Sequence, residues 1–155
     1  PNAIDAQLTK VNQLQSEFKN TPYAGLSALI VARQHINAGN VEKAEKQYRW
    51  IIANTEQDEM KYLAKIRLAR ILLGDKKTEQ ALALLNETYP ESFKAMALEL
   101  KGDTLLSQGL SKQAKAAYIQ AQSLSTEPGR WLKLKIDDLG GSAVKQLTGT
   151  TEPSA

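Results

Sequence analysis

The apolar residues of this chain recur every three or four positions, which is the spacing of amphipathic helices. The first such run places five apolar side chains on one side of a helix: Ile4, Leu8, Val11, Leu14 and Phe18. Seven further runs follow, separated by short turns, and no segment has the strict alternation of a half-buried strand. The sequence therefore predicts an all-α chain with helices over residues 3–19, 23–38, 41–54, 59–73, 78–89, 91–108, 112–125 and 130–139.

The turns between these runs carry their own signals. Pro22 suits the first turn of a helix, and Gly39 suits a left-handed C-cap at the end of the second helix. Connections this short hold consecutive helices antiparallel. After Gly140 and Gly141 the sequence is rich in Gly, Ser and Thr and poor in apolar residues. We therefore expect one helical-repeat domain over residues 1–140 and a disordered tail over 141–155.

The helices also repeat. An alanine followed four residues later by a bulky side chain occurs three times, as Ala44/Tyr48, Ala81/Leu85 and Ala114/Tyr118. Another small residue precedes each alanine by twelve positions, at Ala32, Ala69 and Gly102. Because small residues let antiparallel helices approach closely, we expect each small pair to mark a helix crossing. The bulky side chains would then fill the space between one hairpin and the next.

The spacing is 37 residues from Ala44 to Ala81 and 33 residues from Ala81 to Ala114. It resembles that of tetratricopeptide repeats, which recur about every 34 residues. The resemblance implies about three helical hairpin repeats, with the first and last helices as caps over otherwise exposed apolar faces. It is imperfect, because Leu98 and Lys101 stand where that family prefers Trp and Leu. The alternative is an irregular helical bundle.

Charge and hydropathy limit the kinds of partner that the chain is expected to bind. The 20 basic and 17 acidic side chains form no block of like charge, so the pI of about 9.1 does not indicate nucleic-acid binding. The longest uncharged apolar stretch, residues 23–32, is too short to cross a bilayer, which takes about 20 residues. The chain begins with Pro1 and shows no signal peptide. We therefore expect that an anchor or targeting segment belongs upstream.

Residues that carry catalysis or bind cofactors are missing or isolated. There is no cysteine, which excludes thiolate metal sites and cysteine nucleophiles. The only histidine, His35, is expected to pack between helices. The acidic pairs at 58–59 and 137–138 are helix neighbours that point about 100° apart, so they make poor acid/base pairs. We expect no enzymatic activity, no cofactor and no metal.

The candidate partner-binding residues follow from the repeat. In stacked hairpins the first helix of each pair lines the inner surface, so the candidates lie on the second, fourth and sixth helices. They are Leu26, Leu29, Arg33 and Ile36, then Leu63, Ile66, Arg70 and Leu73, then Met96, Glu99, Asp103 and Leu106. Such a surface, apolar with a few charges, suits extended polypeptide. The alternative is that its leucines and isoleucines are buried beneath the first or last helix.

Several segments resemble the ancillary subunit of the SecYEG protein translocon (YfgM-type). They are residues 20–29, 31–34, 65–70, 100–109 and 134–139, and the resemblance covers about residues 8–139. It implies an N-terminal transmembrane helix that this sequence lacks, and a domain on the periplasmic face of the bacterial inner membrane. The implied partners are the SecYEG translocon, a PpiD-type periplasmic chaperone, and exported polypeptides on their way to periplasmic chaperones. It implies no catalytic residues.

Two other functions stay open at this point. The first is an assembly scaffold for another cell-envelope complex, such as a pilus or the outer-membrane machinery. A transmembrane helix directly upstream would favour the translocon subunit, whereas a lipoprotein signal would favour the scaffold. The second is an enzyme or its regulatory domain, for which the sequence offers no candidate catalytic residue.

Overall fold

The computed structural model describes residues 3–19, 21–125 and 129–147. Over these ranges the chain is helical and contains no strand, which confirms the all-α prediction. The eight helices are α1 (Ala3–Glu17), α2 (Pro22–Asn37), α3 (Val41–Asn54), α4 (Asp58–Gly74), α5 (Thr78–Leu85), α6 (Glu91–Ser107), α7 (Ser111–Leu124) and α8 (Arg130–Leu147).

The turn inside each hairpin has the same backbone conformation. Gly39 and Gly109 adopt positive φ angles of 74° and 77°, as the left-handed cap predicted at Gly39 requires. The second hairpin makes this turn with Lys76, at φ 60°, although a side chain there carries a steric cost. The three positions are 37 residues (39 to 76) and 33 residues (76 to 109) apart. The backbone therefore shows the same repeat as the small residues.

Helix α5 is shorter than predicted. It ends at Leu85 instead of continuing to Tyr89. The residue before a proline is disfavoured in helical conformation, and Tyr89 directly precedes Pro90. Leaving the helix also lets the Tyr89 side chain become buried.

Helix α8 is longer than predicted. It passes through Gly140 and Gly141 and ends at Leu147, not at Leu139. Each glycine weakens a helix by about 1 kcal/mol relative to alanine but does not by itself end it. No proline follows before residue 148 to stop the helix. The predicted disordered tail therefore overlaps a helix over residues 141–147. Residues 148–155 lie outside the described residues, so disorder there, like the domain boundary at 140, stays a prediction.

The chain divides into two compact units, Pro1–Glu87 (unit 1) and Thr88–Ala155 (unit 2). In unit 1, α2 pairs with α3 and α4 pairs with α5, while α3 packs against α4 and α1 packs against α2. In unit 2, α6 pairs with α7, and α8 packs against α7. The three predicted hairpins are confirmed, with α1 and α8 in the capping positions of their own units.

The small residues of the repeat lie in the core. All six are buried: Ala32, Ala44, Ala69, Ala81, Gly102 and Ala114. The bulky residues that follow the alanines, Tyr48, Leu85 and Tyr118, are buried as well. The repeat pattern therefore identified core positions correctly.

One expected position in the core needs correction. The sequence suggested that the Tyr118 side chain fills the space between one hairpin and the next. A Cβ placed on Gly102 would instead lie only 2.3 Å from Cε1 of the Tyr118 ring. Tyr118 lies one helical turn beyond Ala114. The ring thus occupies space inside its own hairpin, and only glycine leaves room for it.

Candidate functional site

Helix α2 of unit 1 has one buried side and one exposed apolar side. Leu26 and Ile30 are 48% and 52% exposed, and Tyr23 is exposed at the start of the same stripe. Arg33 continues the stripe at helical spacing and is also exposed. Single exposed apolar residues are ordinary, but a contiguous apolar patch indicates an interaction surface.

Helix α4 extends this surface within unit 1, since α2 also contacts α4. The positions equivalent to Leu26, Ile30 and Arg33 lie 37 residues later, and they hold Leu63, Arg67 and Arg70. Leu63 and Arg67 are half-buried, and Arg70 is exposed. We call the surface made by these side chains the α2–α4 face. It consists of Tyr23, Leu26, Ile30, Arg33, Leu63, Arg67 and Arg70.

The structure divides the predicted site residues of unit 1 into two groups. Leu29 is 9% exposed and Ile66 only 2% exposed. Both side chains are buried in unit 1, so they are not available to a partner in this structure. The other six reach the surface: Leu26, Arg33, Ile36 and Arg70 are exposed, and Leu63 and Leu73 are half-buried.

Sequence reasoning missed three members of the α2–α4 face. Tyr23 and Ile30 stand at helical spacing from Leu26, so the periodicity of α2 contained the signal. Arg67 stands one repeat after Ile30, where an arginine replaces an apolar residue. Counting outward from the small core residues alone omitted these positions.

An open groove of about 190 Å³ adjoins the face in unit 1. Its lining residues come from α1 and α2 and are Lys10, Val11, Ser27, Ile30, Val31 and Gln34. Ile30 belongs to both the groove and the α2–α4 face. The accessible apolar surface of α2 therefore extends toward α1.

In unit 2 the predicted site residues form a different surface. Met96 and Leu106 of α6 are exposed, whereas Glu99 and Asp103 between them are half-buried. The Lys135 ammonium group of α8 donates hydrogen bonds to Glu99 Oε1 at 2.9 Å and to Asp103 Oδ1 at 2.7 Å. Both carboxylates are therefore already paired with one lysine inside unit 2, which offsets one of their two negative charges.

The same network includes Tyr118 of α7. Its hydroxyl group donates a hydrogen bond to Asp103 Oδ1 at 2.7 Å, and Lys135 Nζ lies 5.4 Å from the centre of its ring. Burial raises the pKa of Tyr118, and the hydrogen bond to Asp103 raises it further. Burial alone would lower the pKa of Lys135, but its hydrogen bonds to Asp103 and Glu99 outweigh that effect and raise it.

These two shifts predict that unit 2 loses stability at alkaline pH. Both groups hold their protons more tightly in the folded state than in the unfolded chain, whose Tyr and Lys pKa values are about 10. The stabilisation is complete below that pH and is lost as the pH rises through the folded pKa values. Urea unfolding followed by circular dichroism at about pH 8 and about pH 11 measures the loss. A Tyr118→Phe/Lys135→Met variant should show a smaller loss, and an equal loss in both proteins would contradict the prediction.

Other sequence expectations concern chemistry and membranes. His35 is 1% exposed and lies in the core of unit 1, as predicted. In the part of the chain that the structure describes, no cluster of three or more acidic or histidine side chains could hold a metal ion. None of the described helices combines the length and the hydropathy that crossing a bilayer requires.

Helical hairpins that repeat about every 34 residues and expose a side of their first helices are typical of repeat domains that bind proteins. The sequence model of the tetratricopeptide repeat-like domain matches residues 2–141. The chain therefore belongs to the tetratricopeptide repeat-like domain family.

Within that class the chain is similar to ancillary SecYEG translocon subunits. It is 29% identical over 141 residues to the one from Escherichia coli strain K12, covering 90% of this chain and 66% of that protein. It is 31% identical over 139 residues to the one from Neisseria gonorrhoeae, covering 88% and 65%. The chain thus spans about two thirds of the length of these curated relatives. No solved structure matches it significantly.

Proposed function

We propose that this chain is the polypeptide-binding part of an ancillary SecYEG translocon subunit and that it binds through the α2–α4 face. The observation that carries the proposal is the stripe of Leu26 and Ile30, which the described helices of unit 1 leave about half exposed. Burying such side chains against a partner is favourable by about 25 cal/mol per Å² of apolar surface. The similarity to translocon subunits supplies the class of partner.

The cellular setting is part of the same proposal. The chain would lie on the periplasmic face of the inner membrane, attached through an N-terminal transmembrane helix in the full-length protein. Its partners would be the SecYEG translocon, a PpiD-type chaperone, and exported polypeptides that it helps to hand over to periplasmic chaperones. The role is binding without catalysis, because family membership and the similar proteins both point to protein interaction.

Binding of an unfolded polypeptide tests the face. We expect the chain to bind reduced and carboxymethylated α-lactalbumin, a permanently unfolded probe, in a fluorescence anisotropy titration. Leu26→Ser/Ile30→Ser should weaken this binding about tenfold, because each substitution removes apolar area that the partner would cover. Both side chains are about half exposed, so the variant should stay folded, which circular dichroism verifies.

A matched control comes from two exposed apolar residues of α7. Ile119 and Leu124 are 47% and 37% exposed, and Ile119→Ser/Leu124→Ser should leave binding unchanged. Equal binding by both variants would remove the α2–α4 face from the proposal. Purified SecYEG in lipid nanodiscs tests the translocon separately, and failure to bind it would contradict that association without affecting polypeptide binding.

A further inference from the structure

The α2–α4 face carries three arginines and no acidic side chain. α2 has Arg33 as its only charged Lys, Arg, Asp or Glu residue. After Asp58 and Glu59 in its first turn, α4 contains Lys61, Lys65, Arg67 and Arg70 and no further acid. Beyond the first turn of α4, every Lys, Arg, Asp or Glu residue of these two helices is therefore basic.

The arginines differ from the lysines of α4 in their contacts. Lys61 pairs with Asp58, and Lys65 pairs with Glu87. Arg33, Arg67 and Arg70 form no ion pair with any carboxylate in the described part of the chain. Like charges on one helix face repel each other and cost a few tenths of a kcal/mol.

Unit 2 shows the opposite arrangement. One repeat after Arg70, α6 places Asp103, and this carboxylate is bound by Lys135 of the same unit. Glu99 and Asp103 of α6 are thus paired with a lysine of their own unit, whereas the arginines of the α2–α4 face are unpaired.

We propose that the α2–α4 face selects acidic segments of unfolded polypeptides in which a carboxylate follows or precedes an apolar side chain by about three residues. The inference rests on the proposed function and names its preferred partner. Arginine binds carboxylates with two parallel hydrogen bonds, which explains an unpaired arginine cluster at an exposed site.

The spacing follows from helix geometry. Leu26 and Arg33 lie on one side of α2, seven residues apart, which is about 10 Å along the helix at 1.5 Å per residue. A chain in the polyproline II conformation advances about 9 Å in three residues, which is one full turn, so its residues i and i+3 project to the same side. Leu63 and Arg70 repeat the same spacing on α4. An apolar side chain and a carboxylate at this separation therefore contact a leucine and an arginine at the same time.

A polypeptide fits the surface better than a phosphate-rich partner. Apolar side chains make up more than half of the face: Tyr23, Leu26, Ile30 and Leu63. Nucleic acids and lipid headgroups are bound chiefly through phosphates by lysine and arginine, and they would leave these apolar side chains without a function. An acidic, apolar segment uses both kinds of side chain.

Short fluorescein-labelled peptides test the proposal on the full chain. The first peptide carries glutamates three residues from leucines, and the second replaces every glutamate by glutamine. We expect the glutamate peptide to bind about tenfold more tightly, since each of three exposed ion pairs contributes a factor of a few. The preference should shrink at about 0.5 M salt because exposed charges are screened.

Charge-neutralising variants assign the preference to the face. Arg33→Gln/Arg67→Gln/Arg70→Gln should bind both peptides equally well. A control with the same loss of charge should keep the preference; it replaces three exposed lysines of unit 1 by glutamine, namely Lys19, Lys43 and Lys46. Loss of the preference in both variants would mean that net charge, not the face, is responsible, and would overturn the proposal.

The other possible results also test the proposed acidic preference. Equal affinity of the native chain for both peptides would overturn the acidic preference and leave the proposed function intact. Absence of peptide binding, with the unfolded lactalbumin still bound, would also overturn the acidic preference and leave the proposed function intact. Absence of binding to every polypeptide probe would refute the proposed function itself. Arginine-dependent binding to phosphatidylglycerol vesicles without a peptide preference would assign the face to membrane phosphates and overturn the inference.

Discussion

Gly102→Ala is expected to destabilise unit 2 by about 3 kcal/mol, the upper part of the usual range for overpacked cores. The added Cβ would lie 2.3 Å from Cε1 and 2.4 Å from Cδ1 of the Tyr118 ring. The ring cannot swing aside cheaply, because it is fully buried and its hydroxyl group is bound to Asp103. The gain of about 1 kcal/mol in helix propensity offsets only part of this cost.

Hydrogen exchange followed by mass spectrometry measures the effect in the peptides of α6 and α7. Gly74→Ala is the matched control: Gly74 ends α4, and a Cβ there would meet no atom within 4 Å. That substitution should be neutral or slightly stabilising. Adding Tyr118→Leu to Gly102→Ala should cost less than the sum of the two single substitutions, because the clash is removed. Unchanged exchange in α6 and α7 would contradict the assigned contact.

Ile66→Ala is expected to destabilise unit 1 by about 3 kcal/mol, as is typical when a fully buried aliphatic side chain is truncated. Ile66 is only 2% exposed, although its place in the repeat made it a candidate for partner binding. Its side chain therefore contributes to folding and not directly to an interface. Hydrogen exchange in α2 and α4 measures the loss of stability.

Leu26→Ala serves as the comparison, since Leu26 is 48% exposed. It should cost less than about 1 kcal/mol of stability, because roughly half of its apolar area is already in water. It should nevertheless weaken binding of the unfolded polypeptide. A stable Ile66→Ala variant with weakened binding would reverse the two assignments and place Ile66 on the surface.

The sequence alone determined the helices and the repeat. Pro22 at the start of α2 and Gly39 just beyond its end act on the local backbone. No tertiary information was therefore needed to locate those two boundaries. The recurrence of small residues twelve positions before Ala44, Ala81 and Ala114 identified core positions that the structure buries completely.

Local signals also failed at identifiable places. Tyr89 continues the periodicity of α5, yet the following proline and the burial of its ring take it out of the helix. Gly140 and Gly141 resemble a helix end, but glycine ends a helix only where a left-handed or irregular backbone is required, and α8 passes straight through them. Lys76 takes the left-handed turn conformation, which its residue type does not suggest.

The binding face was only partly determined by the sequence. Periodicity shows which residues share one side of a helix, and it correctly placed Leu26 and Arg33 together. It cannot distinguish an apolar side chain that contacts water from one that a neighbouring helix covers, so Leu29 and Ile66 looked the same as Leu26. Exposure depends on the position of the adjacent helices. The ion pair of Asp103 with Lys135 likewise depends on a contact between two helices that are far apart in the sequence. Those two properties, burial and charge neutralisation, arise only when the helices pack.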